Sequence, residues 1–414
     1  KVTLEIMSSR QFSDRRSQHK KTVGHEDGRR RREDISISIR KNKREEGLAK
    51  RRQTSEEAVP LQNTMSASSG MRSHAFTVAD IPTLWANIQS SDPQIRLDAT
   101  KGFRKVLSLV KNPPVREVID TGVLPILIQL LQSVDSPELQ FEAAWALTNI
   151  ASTDMTRIVV EAGVVPIMAQ LLLSQSPDVR EQCAWCLSNI AGDCAELRDF
   201  VIQSGAMQPL LQNVIQPASN SMLRNTIWAL SNLCRGKPQP KMETVAPAIP
   251  VLAATLNSED TEILVDCCWA LSYLSDGDNE RVEAVVQSNV VPRLVQLLSH
   301  ASPTVVTPAL RTIGNIVSGS DTQTQAVIDA GGLAACLPLL DHIKKGIRKE
   351  ACWMLSNVGA GSSGQVSALL GNPQIMYSVV TQLKDAEWEV KKEAAWVLSN
   401  VATGGSQEQA LSLV

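Results

Sequence analysis

The chain has 414 residues, a formal net charge of -2 and a composition that is 43% hydrophobic but only 4% aromatic. So few aromatic residues argue against a β-sandwich or β-barrel, whose strands are enriched in aromatic and β-branched residues. No apolar stretch reaches the roughly 20 residues that a transmembrane helix requires, and the first residues lack the pattern of a signal peptide. Eight cysteines without disulfide-like spacing favour a reducing compartment. These features predict an intracellular protein without a membrane partner.

Charge is unevenly distributed along the sequence. Residues 1–60 hold 17 Lys and Arg against 10 Asp and Glu, whereas the remaining residues hold 24 against 33. The segment up to about residue 75 has no apolar periodicity, so it cannot bury enough surface to offset its chain entropy. We therefore predict a disordered basic N-terminal arm and linker over residues 1–75, joined to an acidic body over residues 76–414.

From about residue 80 the sequence repeats itself every 40 to 43 residues. The repeat is marked by Trp145, Trp185, Trp228, Trp269, Arg311, Trp353 and Trp396. Four residues after each marker stand Asn149, Asn189, Asn232, Tyr273, Asn315, Asn357 and Asn400. Helix-start signals precede several markers, at Ser136-Pro137, Ser176-Pro177 and Ser302-Pro303. A period of this length is typical of a stacked helical solenoid, so we predict an all-α fold of about eight repeats.

The markers define one face of each repeated helix. At 100° per residue, the Trp, the Asn at +4 and the residue at -3 lie on one side, opposite a complete stripe of small and aliphatic residues. In four repeats position -3 is acidic, namely Glu142, Asp266, Glu350 and Glu393. A lone Trp at helical spacing is usually a core residue, but here the apolar stripe is complete without it. We therefore predict a ladder of indoles, carboxamides and carboxylates that faces the solvent.

A ladder of this chemistry suits an extended basic peptide. An Asn amide can donate to a main-chain carbonyl and accept from an N–H group at once. Parallel indole plates leave slots for the methylene stems of Lys or Arg, whose charged heads then meet the carboxylates. The ladder is interrupted at Tyr273 and Arg311, and we expect Arg311 to repel a basic side chain. Two runs of rungs therefore predict a ligand with two basic clusters and a spacer.

With these arrays, the sequence resembles importin-α, the armadillo-repeat adaptor family of nuclear import, over nearly its whole length. The Trp-x-x-x-Asn arrays match the family's major and minor sites for nuclear localisation signals. The pairs Trp269/Tyr273 and Arg311/Asn315 match its two degenerate central repeats. The resemblance implies a right-handed α-solenoid of armadillo repeats and an adaptor that shuttles between cytoplasm and nucleus.

The resemblance also implies roles for individual residues. For the major peptide site they are Trp145, Asn149, Trp185, Asn189, Asp193, Trp228 and Asn232. For the minor peptide site they are Asn315, Val317, Asp321, Thr324, Glu350, Trp353, Asn357, Glu393, Trp396 and Asn400. Thr156 is a further candidate for the major site, in a loop that is shorter than is usual in the family.

The arm contains two further sets of residues to which the resemblance gives roles. The importin-β-binding residues are Arg29, Arg30, Arg31, Arg32, Arg40, Lys41, Lys43 and Arg44. Lys50, Arg51 and Arg52 resemble the autoinhibitory sequence that occupies the major site when importin-β is absent. The implied partners are therefore importin-β and cargo proteins with mono- or bipartite basic signals.

Family members continue through further repeats to an acidic tail, in a region that binds the export receptor. This sequence stops at Val414, soon after its last Trp helix. We therefore predict a C-terminally truncated solenoid over residues 76–414 and assign it no binding to the export receptor.

Three other functional classes are weaker alternatives. Cys183-Ala184-Trp185-Cys186 lacks a second pair at zinc spacing, and the five histidines stand beside no nucleophile or acid pair, so we predict no metal, cofactor or enzymatic activity. An armadillo scaffold for other protein partners remains an alternative, and its groove is expected to be basic. The Arg-rich arm could also contact nucleic acid through phosphates, but it offers little aromatic stacking for specific recognition.

Overall fold

The computed structural model describes residues 76–109 and 113–411. Within these residues the regular secondary structure consists of α-helices and two short 3₁₀ helices, at Val78–Asp80 and Leu337–Asp341. The predicted importin-β-binding and autoinhibitory residues of the arm lie outside the described residues.

The helices follow one another in groups of three, of which the last is the longest. Two helices precede the first complete group, α1 (Ile81–Ile88) and α2 (Pro93–Leu107). The first group comprises α3 (Val115–Asp120), α4 (Leu124–Leu130) and α5 (Pro137–Ala151). The second comprises α6 (Thr156–Glu161), α7 (Val164–Leu171) and α8 (Pro177–Ala191). The third comprises α9 (Ala195–Gln203), α10 (Met207–Ile215) and α11 (Asn220–Cys234).

Four further groups complete the described chain. They comprise α12 (Met242–Val245), α13 (Ala248–Thr255) and α14 (Thr261–Leu274), then α15 (Asn279–Gln287), α16 (Val291–Leu297) and α17 (Pro303–Ile316). The next comprises α18 (Asp321–Asp329), α19 (Gly332–Cys336) and α20 (Lys345–Gly359), with the second 3₁₀ helix directly after α19. The last comprises α21 (Ser363–Leu370), α22 (Pro373–Asp385) and α23 (Trp388–Gly404), and it is followed by α24 (Gln407–Leu411).

The long helices α2, α5, α8, α11, α14, α17, α20 and α23 form one continuous stack, and we call them the ladder helices. Each contacts the ladder helix of the next group, from α2 through to α23. The predicted apolar stripe makes these contacts: Ala144, Leu147 and Ile150 of α5 have no exposed surface. The prediction of an α-solenoid is therefore confirmed. None of the helices described here is long and apolar enough to cross a membrane.

The last ladder helix departs from the predicted burial. Ala395 and Ala402 on the stripe of α23 are exposed, whereas Val401 is fully buried. No ladder helix follows α23 among the described residues, so one side of its stripe has no neighbouring ladder helix to pack against.

Local signals in the sequence fix where the helices begin. Helices α5, α8 and α17 start at the proline of the predicted Ser-Pro pairs, since proline lacks the N–H that the first turn cannot use. The turn before α7 holds Gly163 at a φ of 87°, a left-handed conformation that costs glycine little. The equivalent turn before α16 uses Asn289, at a φ of 57°. Asn tolerates this region better than most residues, so the turn is the same with either residue.

A buried arginine joins the first helix of the third group to the turn that follows the last helix of that group. Arg198 of α9 has no exposed surface, and its guanidinium donates hydrogen bonds to the carbonyl of Arg235, just after α11, and to the Asp199 carboxylate. Arg157 of α6 makes the contrasting pair, because it meets Glu196 of α9 where both side chains are more than half exposed.

We expect Arg198→Met to lower the free energy of unfolding by about 2–4 kcal/mol, because the Arg235 carbonyl loses a charged donor at a buried site. Arg157→Met is the matched control and should leave the unfolding midpoint unchanged, since an exposed ion pair contributes little. Urea titrations followed by circular dichroism compare the two variants. Equal midpoints for both variants would contradict a structural role for the buried guanidinium.

Candidate functional site

The ladder helices carry the repeated indoles at the same position in successive groups, but the rings differ in exposure. Trp145, Trp228, Trp353 and Trp396 are half-buried. Trp185 and Trp269 are only 7% and 9% exposed. The prediction that every indole faces the solvent is therefore wrong for these two residues.

Each of the two buried rings contacts an aromatic neighbour. The indoles of Trp185 and Trp228 meet edge to face, with centroids 6.2 Å apart and planes at 83°. Trp269 instead stacks on Tyr273 of its own helix, with centroids 5.9 Å apart and planes at 21°. The expectation of parallel plates is wrong for Trp185 and Trp228, because ring quadrupoles favour the edge-to-face arrangement. A Lys or Arg stem can pass between them only if one ring turns.

The carboxamides of the ladder serve the stack itself. Asn189 Nδ2 donates to the Thr148 carbonyl of the preceding ladder helix at 3.3 Å, and Asn232 Nδ2 donates to the Ser188 carbonyl at 3.0 Å. The corresponding bonds of Asn149, Asn315 and Asn400 reach the carbonyls of Arg104, Ser272 and Ser356. Each of these amides thus commits at least one N–H to the fold. Two of them make a further bond within the stack, from Asn232 Nδ2 to Ser188 Oγ and from Asn315 Nδ2 to Ser275 Oγ.

Some carboxamide atoms in the ladder are buried without using their full hydrogen-bonding capacity. Within the described part of the chain, neither Asn189 Oδ1 nor Asn357 Nδ2 has a hydrogen-bond partner. Buried polar atoms of this kind are uncommon in native proteins and require an explanation. Asn189 belongs to the first run of rungs (Trp145/Asn149, Trp185/Asn189 and Trp228/Asn232). Asn357 belongs to the second run (Trp353/Asn357 and Trp396/Asn400).

Two of the predicted carboxylates lie in ion pairs. Glu142 is 5% exposed, and its Oε2 lies 2.7 Å from Arg104 Nε. Glu350 is 4% exposed, and its two oxygens lie 2.8 Å from the Nε and Nη2 of Arg311. The prediction that both carboxylates face the solvent is wrong. Arg311 lies against this carboxylate, so the expected repulsion of a basic ligand is at least partly cancelled.

Arg104 is a site residue that the search for repeated Trp missed. It stands 41 residues before Trp145, at the ladder position of α2. Its guanidinium carbon lies 4.6 Å from the centroid of the Trp145 ring. The period of 40 to 43 residues, extended one step towards the N-terminus, points to this residue, and the arginine at Arg311 gives the precedent for a non-aromatic marker.

Other predicted acidic residues remain accessible. Asp193, two residues after the end of α8, is exposed, as is Asp321 at the start of α18. Asp266 and Glu393, both at position -3, are half-buried. Because Glu142 and Glu350 are paired, the more accessible acidic side chains near the ladder face are those of Asp193 and Asp321, followed by Asp266 and Glu393.

Three of the candidate residues lie where a ladder helix is followed by the first helix of the next group. The side chains of Val317 and Thr324 have no exposed surface, and Thr324 Oγ1 donates to the Val317 carbonyl at 3.2 Å. Thr156 Oγ1 makes the equivalent bond to the Ala151 carbonyl at 2.9 Å. The two threonines thus tie the starts of α18 and α6 to the ends of the preceding ladder helices.

The ladder helices carry free cysteines that are buried in the core. Cys183 and Cys186 are fully buried, and burial raises the pKa of the Cys183 thiol well above its ordinary value and that of Cys186 to about 12. A thiol that stays protonated is neither a nucleophile nor a metal ligand. The described residues contain no group of three or more His, Cys, Asp or Glu placed to hold a metal ion.

Comparison with known protein families assigns both parts of the chain. Residues 111–152, 152–192, 194–235, 237–276, 278–318 and 320–360 each match the Armadillo/beta-catenin-like repeat. Residues 15–101 match the Importin beta binding domain. The stacked groups of three helices and these six matches define an armadillo-repeat protein.

The relatives of the chain are importin-α subunits. It is 48% identical to importin subunit alpha-1a of Oryza sativa subsp. japonica over 318 residues, which cover 76% of this chain and 59% of the relative. It is 49% identical to importin subunit alpha-2 of Arabidopsis thaliana over 294 residues, which cover 70% and 54%. The chain belongs to the importin-α family, and it spans somewhat more than half the length of these relatives.

Solved structures share the fold. An engineered protein aligns with a TM-score of 0.74 at 28% identity and covers 81% of this chain and 82% of its own. A designed armadillo repeat protein in complex with the peptide (KR)4 aligns with a TM-score of 0.54 at 28% identity. That alignment covers 57% of this chain and 99% of the designed protein.

One glycine makes room for the Trp353 indole. Gly314 of α17 is buried, and a Cβ atom added to it would overlap the six-membered ring of Trp353. The equivalent position in several other ladder helices is serine, as in Ser188, Ser231, Ser272 and Ser356. The indole of Trp353 can therefore lie against α17 only because this position lacks a side chain.

We expect Gly314→Ser to displace the Trp353 ring and to lower the free energy of unfolding by about 1–3 kcal/mol, the range for overpacking. Near-ultraviolet circular dichroism and urea unfolding measure the two effects. Gly346→Ser, in the first turn of α20 with open space around its Cβ position, is the matched control and should change neither. An unaltered spectrum and midpoint for Gly314→Ser would show that the ring is not held in this place.

Proposed function

We propose that the chain is an adaptor of nuclear import that binds basic nuclear localisation signals of cargo proteins along the ladder face. Its N-terminal arm links the cargo to importin-β. The observation that carries the proposal is the Trp/Asn register repeated on α5, α8 and α11 beside the exposed Asp193. Membership of the importin-α family and the match to the importin-β-binding domain support it. The role is binding alone, without chemistry on the ligand.

The main chain of an extended peptide fits the remaining capacity of the carboxamides. Asn189 Oδ1 can accept from a peptide N–H, and Asn357 Nδ2 can donate to a peptide carbonyl. An unsatisfied buried polar group costs about 1–3 kcal/mol, so a ligand that satisfies it gains affinity without regard to its side chains. The carboxamides thus bind the main chain of an extended peptide, whatever its sequence. The indoles and carboxylates of the ladder select for basic side chains.

Basic side chains fit the indoles and the accessible carboxylates. The half-buried Trp145 and Trp228 offer ring surface to the stem of a Lys or Arg, worth about 0.5–2 kcal/mol for each cation–π contact. Asp193 then meets a cationic head. Packed helices lie about 8–10 Å apart and an extended peptide advances about 3.3 Å per residue, so one rung covers about three residues. The designed armadillo repeat protein solved with (KR)4 supports this chemistry on a similar fold.

The second run of rungs is proposed as the minor site. Trp353, Trp396 and Asn357 repeat the chemistry of the first run, with Asp321 and Glu393 as its acidic residues. A single basic cluster then occupies one run, whereas a bipartite signal occupies both and gains from the effective concentration of linked sites. The stacked Trp269 and Tyr273 lie between the runs, where they offer no carboxamide to a peptide.

The arm is proposed to compete with cargo. Lys50, Arg51 and Arg52 have the charge of a nuclear localisation signal and are tethered to the body that binds such signals. Binding of importin-β to the arm removes this competitor and strengthens the binding of cargo, and linkage makes the effect reciprocal. The chain accordingly shuttles between cytoplasm and nucleus with its partners. Binding to the export receptor forms no part of the proposal.

We expect Asp193→Lys to weaken the binding of a monopartite basic peptide by about 10- to 100-fold, because a cationic head then meets a like charge. Fluorescence anisotropy with a labelled peptide measures the dissociation constant. Glu161→Lys at the end of α6 is exposed, makes the same change in net charge and lies outside the proposed site, so it should stay within twofold of the wild type. Preferred binding of an acidic peptide would favour the scaffold alternative.

We expect replacement of Lys50, Arg51 and Arg52 by Ala in the full chain to tighten binding of the same peptide by about 5- to 50-fold. A tethered competitor acts at an effective concentration that reaches the millimolar range, and the substitution removes it. Replacement of Arg16, Lys20 and Lys21 by Ala removes the same charge elsewhere in the arm and should have a much smaller effect. Equal affinities of the two variants would refute competition by the 50–52 sequence.

A further inference from the structure

Each of the two Trp runs begins next to an arginine of this same chain. At the first run, Arg104 of α2 pairs with Glu142 and lies over Trp145, with its guanidinium carbon 4.6 Å from the ring centroid. At the second run, Arg311 of α17 pairs with Glu350 and lies over Trp353, at 5.9 Å from the centroid. In both places the arginine occupies the ladder position one group before the first Trp of the run.

The Arg104 contact uses the chemistry that the proposed function assigns to a basic ligand. A guanidinium lies against an indole, and two hydrogen bonds, of 2.7 and 3.4 Å, join it to a carboxylate. Phe141 packs edge to face on the same indole at 5.4 Å between centroids. The Trp145 ring is therefore engaged by its own chain on the side that faces α2.

We propose that Arg104 is a specificity-determining residue, a built-in cation that ends the first run and limits how many basic residues of a ligand it accepts. The proposal rests on the proposed function. With Arg104 in place, a basic side chain that reaches beyond Trp145 towards α2 meets a carboxylate that is already neutralised and an indole whose α2 side is already covered. Because Arg104 is part of the same chain, its local concentration at Trp145 does not depend on the concentration of the protein.

Stability alone is a weak reason for this arginine. A nearly buried ion pair gains little net stability, because desolvation of the two charges offsets their attraction. The other ladder helices fill the same position with an aromatic residue, apart from Arg311 of α17. Where an arginine replaces the indole, the next ladder helix supplies a glutamate at -3, so the pair recurs as a unit at the start of each run.

A second ion pair joins the same two helices and provides a matched control. Lys101 of α2 lies 2.6 Å from Glu138 of α5, with side chains 31% and 59% exposed. Like the Arg104 pair, it joins a basic residue of α2 to a glutamate of α5. Both side chains are considerably more exposed than those of Arg104 and Glu142, and neither lies at the ladder position, so we expect this pair to have no effect on the length of a bound peptide.

The test compares a core basic peptide with peptides that carry one additional Lys three residues beyond either end, and with the same extensions ending in Ala. Full-length wild type, Arg104→Ala, Arg104→Ala/Glu142→Gln and Lys101→Ala are titrated by fluorescence anisotropy. The readout is the ratio of the dissociation constants of the Ala- and Lys-extended peptides, in which competition from the arm cancels. The peptide end that responds also gives the direction of the ligand on the ladder.

We expect a ratio near 1 for the wild type and for Lys101→Ala, and a ratio of about 5 to 20 at one end for Arg104→Ala. In that variant the added Lys meets a free carboxylate and an open indole face. The double variant should return to a ratio of about 2 or less, because the carboxylate is gone. A ratio near 1 for Arg104→Ala, with the core peptide still bound, would overturn the inference and leave the proposed function standing. Failure of the wild type to bind the core peptide would overturn both.

Glu142→Gln gives a second measurement that does not depend on the folding of Arg104→Ala. This change leaves the guanidinium in place without its counter-charge, so the core peptide should bind about 3- to 10-fold more weakly at low salt. The difference from the wild type should shrink as salt screens the repulsion. Unchanged or tighter binding by Glu142→Gln would contradict the role of Arg104 as a neutralised internal cation.

Discussion

The hydrogen bond from a ladder carboxamide to a carbonyl of the preceding ladder helix is the interaction on which the rest of the structure depends. It recurs at Asn149, Asn189, Asn232, Asn315 and Asn400. In each case a side chain on the predicted ligand face also fixes how one repeat sits on the next. Stacking and the proposed recognition of a peptide therefore involve the same side chains.

The ladder position itself holds two kinds of residue, aromatic residues and arginine, to which we assign opposite effects on a basic ligand. An indole extends the run, whereas an arginine covers the following indole and neutralises the following glutamate. Tyr273 has a comparable effect at the other end of the first run, because it stacks on Trp269 and supplies no carboxamide. We therefore propose that contacts within the chain set both ends of the first run and the start of the second, and that the interior of each run is left to the ligand.

The sequence was sufficient to predict the α-solenoid, because a period of 40 to 43 residues and the Ser-Pro helix starts are local signals. Helices α5, α8 and α17 begin where those pairs stand. The angle of a residue on its own helix also identified the buried stripe that includes Leu147. That calculation cannot say which side chain a neighbouring helix places opposite. The edge-to-face contact that buries Trp185 and the ion pairs of Glu142 and Glu350 depend on such partners, so they were missed.

The double commitment of the carboxamides bears on how such an array can evolve. A mutation at Asn232 removes the hydrogen bonds that join α11 to Ser188 of α8, and it also changes the predicted ligand face. Natural selection therefore acts on both properties at once. Asp193 has no comparable structural role, because it is exposed in a loop. Among descendants of this chain, binding preference should therefore change through substitutions of exposed charged residues in the loops, while the ladder carboxamides are retained.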